Sequence, residues 1–186
     1  DVFQNIWVGT KDGLHLFDIE RERFTLHDHD EMNPMSINSN AIRTLFEDNK
    51  GILWIGTDNG LNQHLRRAKS FRHLLKPETK FGKNQYQVIN SICQDALNFI
   101  WVGTTDGIFR INPVTEECST FDEVFSNTGI KITQVNDILI DHSNIMWIAS
   151  AKGLIKIGTR PSKFETIRKT KVTTTEESQS NNVTAI

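Results

Sequence analysis

What the chain lacks narrows its chemistry first. Its 186 residues hold two cysteines, Cys93 and Cys118, and no Cys pairs at zinc spacing. No G-x-S-x-G elbow, P-loop or H-E-x-x-H occurs, so the usual marks of hydrolase, nucleotide-phosphate and zinc-protease chemistry are missing. Positive charge is not in excess. Lys and Arg number 21 against 23 Asp and Glu, for a net charge of −2 and a pI near 6.3. That gives no basic footprint for nucleic acid. Nor is there an apolar run long enough to span a bilayer, or a charged-then-apolar leader of the secretory type. No direct membrane contact, cofactor, metal or catalytic set is expected of this segment.

What is present is one sentence written four times. It reads Trp7-Val8-Gly9-Thr10-Lys11-Asp12-Gly13-Leu14, then Trp54-Ile55-Gly56-Thr57-Asp58-Asn59-Gly60-Leu61. It returns as Trp101-Val102-Gly103-Thr104-Thr105-Asp106-Gly107-Ile108 and, more loosely, as Trp147-Ile148-Ala149-Ser150-Ala151-Lys152-Gly153-Leu154. These are all four Trp of the chain, spaced 47, 47 and 46 residues apart. A fixed period of that length means that one supersecondary unit is stacked on itself.

Each copy predicts a hairpin. An apolar pair opens a strand, Gly-Thr leads into a tight turn, and Asp12-Gly13, Asn59-Gly60 and Asp106-Gly107 supply positive φ values. Return strands follow at 14–17, 61–65, 108–111 and 154–157. A preceding strand is predicted at 42–47, 89–94 and 135–140, closed by a turn such as Glu47-Asp48-Asn49-Lys50-Gly51. Seventeen residues after the Trp stand Phe24, Phe71, Cys118 and Phe164, which mark an outer fourth strand. Four antiparallel strands per unit of about 45 residues describe a β-propeller blade. Cys93 on an inner strand and Cys118 on an outer one are too far apart for a bridge, so free, buried thiols are expected.

The pattern V-x-x-I-x-x-D-x-x-G-x-[IL]-W-[IV]-G-T-x-x-G-L resembles the two-component regulator propeller repeat. Residues Ile42 through Leu61 fit it best, while the fourth copy keeps the Trp but loses Gly-Thr. The resemblance implies an all-β, propeller-type fold of about four repeats, cut as an arc from a larger, seven-bladed ring. Its parts would be 1–32 (end of a blade), the blades 33–79, 80–126 and 127–173, and 174–186 (first strand of a further blade). In a closed four-bladed ring, residues 183–186 would instead pair with the N-terminal hairpin. The resemblance also implies a place in the periplasmic sensing region of a membrane-bound hybrid two-component histidine kinase. That region would recognise an extracellular cue, such as a small molecule or an oligosaccharide, and homodimerise through the full-length receptor. Leader, membrane helix and kinase would lie outside this chain. Other readings are a structural or dimerisation scaffold without its own ligand, and a propeller lyase or hydrolase.

Propellers bind ligands where loops gather at a channel mouth. The candidates there are Asp58, Asn59, Asp106 and Lys152 on the hairpin turns, with Arg43, Asn90 and Asn136, each eleven residues before its Trp. Asn, Asp and Arg in such places would hydrogen-bond sugar hydroxyls; a wet channel is also polar by default. Three further features are expected to be structural. The Trp are wedges packed between blades. The Asp six before each Trp (Asp1, Asp48, Asp95, Asp141) cap turns rather than form a carboxylate ring. The run His27-Asp28-His29-Asp30-Glu31 has metal-ligating residue types, but a flexible loop rarely sets tetrahedral geometry, so a solvated strand end or loop is expected.

Overall fold

A computed structural model of the chain describes residues 1–75, 88–121, 132–158 and 164–167; for Gly158 and 164–167 the backbone alone is described. The described structure is all-β apart from one 3-10 turn. It divides into two units, Asp1–Ile92 and Cys93–Ile186.

The first unit holds a three-stranded sheet, β1 (Ile6–Gly9), β2 (Leu14–Asp18) and β3 (Arg23–His27), in that order. It also holds a four-stranded sheet, β4 (Ile42–Glu47), β5 (Leu53–Thr57), β6 (Gly60–Leu65) and β7 (Ser70–Leu74), again in chain order. The next sheet, β8 (Ile89–Gln94), β9 (Ile100–Thr104), β10 (Gly107–Ile111) and β11 (Cys118–Thr120), begins on the strand where the two units divide. The second unit ends with β12 (Val135–Ile140), β13 (Ile145–Ser150), β14 (Gly153–Gly158) and β15 (Phe164–Ile167). Every described register is antiparallel between chain neighbours. Up-and-down sheets of four strands are the blades that the period predicts. Residues 183–186, whose pairing would distinguish a closed ring, lie outside the described residues.

In the four-stranded sheets the Trp strands β5, β9 and β13 are interior strands, whereas Trp7 lies on the edge strand β1 of the three-stranded sheet. All five residues of β5, and all five of β9, are buried. That suits an interior strand covered on both faces, whereas β3 is exposed along most of its length. In the first unit Leu14, Ile37, Leu53, Ile55 and Phe71 form a core with Trp7, Ile42 and Leu45 against it. In the second, Trp101 packs with Ile138, Ile148, Ile155 and Ile157 from the following sheet. The indole there fills the wedge that its fixed place predicts. Neither Cys93 nor Cys118 is in a disulfide, and both are half-buried. Burial, with Asp95 and Asp137 nearby, pushes the Cys93 thiol up to about 12.

The Asp of each copy caps its turn and also does something the spacing does not disclose. Asp48 Oδ1 accepts the amides of Lys50 and Ile52, both at 2.9 Å, while Oδ2 accepts the Trp54 indole N–H at 3.0 Å. Asp95 repeats this with Leu97, Phe99 and Trp101, and Asp141 with Ser143, Ile145 and Trp147. Asp1 repeats it with Phe3, Asn5 and Trp7. One carboxylate therefore ties the turn to the indole of the strand that follows. The Trp147 bond and the amides of Ile145 and Ser143 hold the Asp141 carboxyl below the usual range.

At the hairpins the expectation needs correction. Gly13, Gly60, Gly107 and Gly153 take positive φ (132°, 108°, 141° and 120°), but Asp12, Asn59 and Asp106 do not share it. The hydroxyl before the turn explains why. Thr57 Oγ1 donates to Gly60 O and accepts the Asn59 amide, both at 3.0 Å, and Thr10 and Thr104 do likewise. That side-chain turn sets the loop without a left-handed residue before the Gly. Ser150 makes the same pair of bonds to Gly153 and Lys152. The fourth hairpin is thus conserved in its chemistry where its letters had drifted.

Candidate functional site

The residues expected at the channel mouth do not all serve alike. Arg43 Nε donates to Asp58 Oδ1, and both side chains are about half exposed. Backbone geometry places Arg43 for this. The β4–β5 register shifts between Ile42 and Thr44, leaving Arg43 as the extra residue of a β-bulge. Asn136 occupies the same place in β12, where the shift falls between Val135 and Asp137. Bulges re-aim side chains and are common beside binding sites. Asn90 takes the equivalent position of β8 and is partly buried. Asp106 and Lys152 are exposed on their hairpins.

Asn59 has a structural use. Its Nδ2 donates to Asn38 O at 3.1 Å, and Asn38 Nδ2 returns a bond of 2.7 Å to Asn59 O. Asn38 Oδ1 accepts from Asn62 Nδ2 at 2.7 Å and lies 2.8 Å from Thr57 Oγ1, whose single proton is shared between it and Gly60 O. This buried polar knot fastens the connection ahead of β4 to the hairpin.

A concave place not anticipated from the sequence lies within the first unit. It is a cavity of about 840 Å³ lined by Trp7 of β1, His27 of β3, and Gln63 and His64 of β6, among others. The Trp7 ring centroid is 5.6 Å from that of His27 and 4.9 Å from that of His64, edge-on to the latter. Phe71 closes the back, 5.5 Å from His27 and 5.3 Å from His64. His27 Nε2 is buried without a hydrogen-bond partner. The run 27–31 is thus not simply solvated. His27 packs among aromatics, and the His29 ring bonds Ile37 O at 2.7 Å. Among the described residues no group of three or more His, Cys, Asp or Glu is placed to hold a metal.

Burial lowers both imidazoles. His64 falls to about 4 through burial, then through His27 and Arg66, and His27 falls through burial against the pull of Asp28. At neutral pH both rings are uncharged, each with one N–H donor and one acceptor. The unfolded chain takes up its proton near 6.5, whereas folded His64 does so near 4. Its contribution is therefore complete above pH 6.5 and lost as pH falls from 6.5 toward 4. Partial solvent screening limits this to about 1–2 kcal/mol. Urea midpoints between pH 7.5 and 4.5 should fall less in His64→Ile than in the parent; equal slopes would remove His64 from the acid response.

Comparison with known proteins meets the fold at this point. The family model of the two component regulator propeller matches residues 36–59 and 84–106, which include the second copy of the Trp-centred sentence to Asn59 and the third to Asp106. Histidine kinase P4 of Formosa agariphila is 28% identical over 155 residues, covering 81% of this chain and 11% of that protein. The solved extracellular domain of a protein assigned as a hybrid two component system from B. thetaiotaomicron gives a TM-score of 0.77 at 16% identity. It covers 97% of this chain and 23% of its own. A catalytically inactive virginiamycin B lyase from Staphylococcus aureus gives 0.59 at 11% identity, over 85% of this chain and 50% of that one. At such identities the solved structures establish a β-propeller fold and nothing of activity. The chain spans about a tenth of the kinase and a quarter of the solved extracellular domain.

Proposed function

We propose that this chain is a ligand-recognising segment of the extracytoplasmic sensing region of a two-component histidine kinase. The observation that carries the reading is the two component regulator propeller repeat, matched in two copies within a propeller fold. A kinase relative aligning with most of the chain supports it. The segment itself recognises and does not catalyse; the phosphoryl chemistry belongs to other parts of the receptor. The ligand is an oligosaccharide, whose hydroxyls suit the Arg43–Asp58 pair on its bulge and hairpin. Asn90, Asn136, Asp106 and Lys152 hold the corresponding strand and hairpin positions of the later copies, and binding biases the geometry of a homodimeric receptor.

Thermal-shift measurements against a panel of neutral oligosaccharides test this. At least one sugar should raise the melting temperature, and Arg43→Ala should weaken it by about tenfold, the effect of losing one charge-assisted hydrogen-bond partner. A panel without any shift would leave the scaffold reading in its place.

A further inference from the structure

Two histidines stand where the other copies of the repeat are apolar. Ten residues after the four Trp come Phe17, His64, Ile111 and Ile157; twenty after come His27, Leu74, Phe121 and Ile167. Both departures face the same cavity. A third departure borders it. The turn between the third and fourth strands is closed in the first copy by Asp18 Oδ1, which accepts the amides of Glu20 and Arg21 at 3.0 Å. In the third copy Asn112 Oδ1 holds Val114 and Thr115 in the same way. The second copy has Leu65 at that place and makes no side-chain cap. Instead Arg66–Ala68 form a 3-10 turn, Lys69 takes the left-handed conformation, and three cations arrive together.

None of this serves the repeat. Imidazoles replace apolar side chains in a packed place, a capped turn is given up, and one buried ring nitrogen is left without a partner. Each change costs stability. What they share is the cavity, whose lining includes Lys50, Arg66, Arg67 and Lys69. Its one acid, Asp1, already spends both oxygens on amides and on the Trp7 indole. Among the described residues no carboxylate pairs with those four cations.

We propose that this cavity is a binding site, separate from the hairpin mouth, for a sugar carrying a carboxylate or sulfate group. The anion meets Arg66, Arg67 and Lys69, and the ring lies against the wall formed by Trp7 and His64. A simple inorganic anion would need only the cations. The neutral imidazoles and the buried Gln63 amide each add a donor and an acceptor, which is what sugar hydroxyls require. A volume of about 840 Å³ suits a ligand of one or two rings. The site extends the sensing proposal by giving the receptor segment a second ligand chemistry.

Calorimetry with three probes tests the site: digalacturonate, a singly sulfated galactobiose, and plain galactobiose. One anionic probe should bind about tenfold or more tightly than the neutral one, and which of them does so separates the carboxylate from the sulfate source. Arg66→Gln with Arg67→Gln should weaken that binding by about tenfold and flatten its salt dependence. His27→Leu with His64→Ile, which restores the residues of the other copies, should abolish binding while raising the melting temperature. If the histidine pair fails to fold, the exposed arginine pair decides alone. Equal affinity for charged and neutral probes, no anionic binding at millimolar concentration, or binding untouched by the arginine pair would overturn the site. A neutral sugar that binds the parent and both variants alike would sink this site and leave the sensing proposal standing.

Discussion

Trp54→Ala should be the most damaging single truncation in the chain, and Trp147→Ala markedly milder. Trp54 is 1% exposed, and the carboxylate it serves, Asp48, is 3% exposed. Truncating a buried Trp costs about 3–5 kcal/mol in lost transfer energy and residual cavity. Here it also strips Asp48 Oδ2 of its partner, a charged acceptor in a place where water does not reach. Trp147 makes the same bond at 2.9 Å to Asp141, but its ring is only half-buried and Asp141 has access to solvent. About half the cost is expected there. Trp54→Phe separates the two contributions, because it keeps most of the apolar area and removes the N–H. It should cost about 1–3 kcal/mol, and adding Asp48→Ala should then cost less than it does in the parent. Urea unfolding of these five variants supplies the numbers. A Trp54→Phe variant indistinguishable from the parent would show that the indole acts by volume alone.

That indole bond also marks how far the sequence could be read. Strands 42–47, 89–94 and 135–140 were legible to the residue, because four copies in phase average out local accidents. The Asp was legible as a turn cap, since Asp bonds its own backbone two to four residues on. Its second oxygen was not, because a spacing of six says nothing about whether a turn folds its carboxylate back over the next strand. Ser150 was misjudged for a different reason. A pattern written in letters scores Gly-Thr to Ala-Ser as loss, while the hydrogen bonds need only a hydroxyl. His27 and His64 were hardest. They are 37 residues apart in sequence, and only the packing of the first sheet on the second brings both against Trp7. The signal was nevertheless present as two polar residues in columns that the other copies fill with Phe, Leu or Ile. In a repeat protein, the copies themselves define what the fold requires, so a departure that costs stability points toward function.

The glycine of Gly-Thr is where sequence and packing agree most tightly, and it carries the second large prediction. A Cβ built on Gly56 would stand 2.6 Å from Ile89 Cγ2, 2.6 Å from Thr44 Cγ2 and 2.9 Å from Ile89 Cβ. Gly9 meets Ile42 Cγ2 at 2.4 Å, and Gly103 meets Val135 Cγ1 at 2.7 Å, in the same relation. The partner is each time the branched residue that opens the following inner strand, held by its own ladder and unable to swing away. Thus the Gly and the Val or Ile twelve residues before the next Trp form one contact, written 33, 33 and 32 residues apart. Gly56→Ala should therefore cost about 1–3 kcal/mol, and Gly56→Val about 3 kcal/mol or more, the range for overpacking a filled interior. For a chain of this length that lowers the melting temperature by about 2–4 °C per kcal/mol. Ile89→Ala alone opens a cavity and is also destabilising, yet it removes Ile89 Cγ2, one of the two nearest atoms that the new methyl meets, while Ile89 Cβ and Thr44 Cγ2 stay. Gly56→Ala combined with Ile89→Ala should consequently lose at least about 1 kcal/mol less than the sum of the single changes. Strict additivity in that cycle would mean that Ile89 does not set the cost at Gly56, which would then rest on the contact with Thr44 Cγ2. Ala149 sets the limit case, since its side chain is already accommodated, fully buried, at the same place in the fourth hairpin.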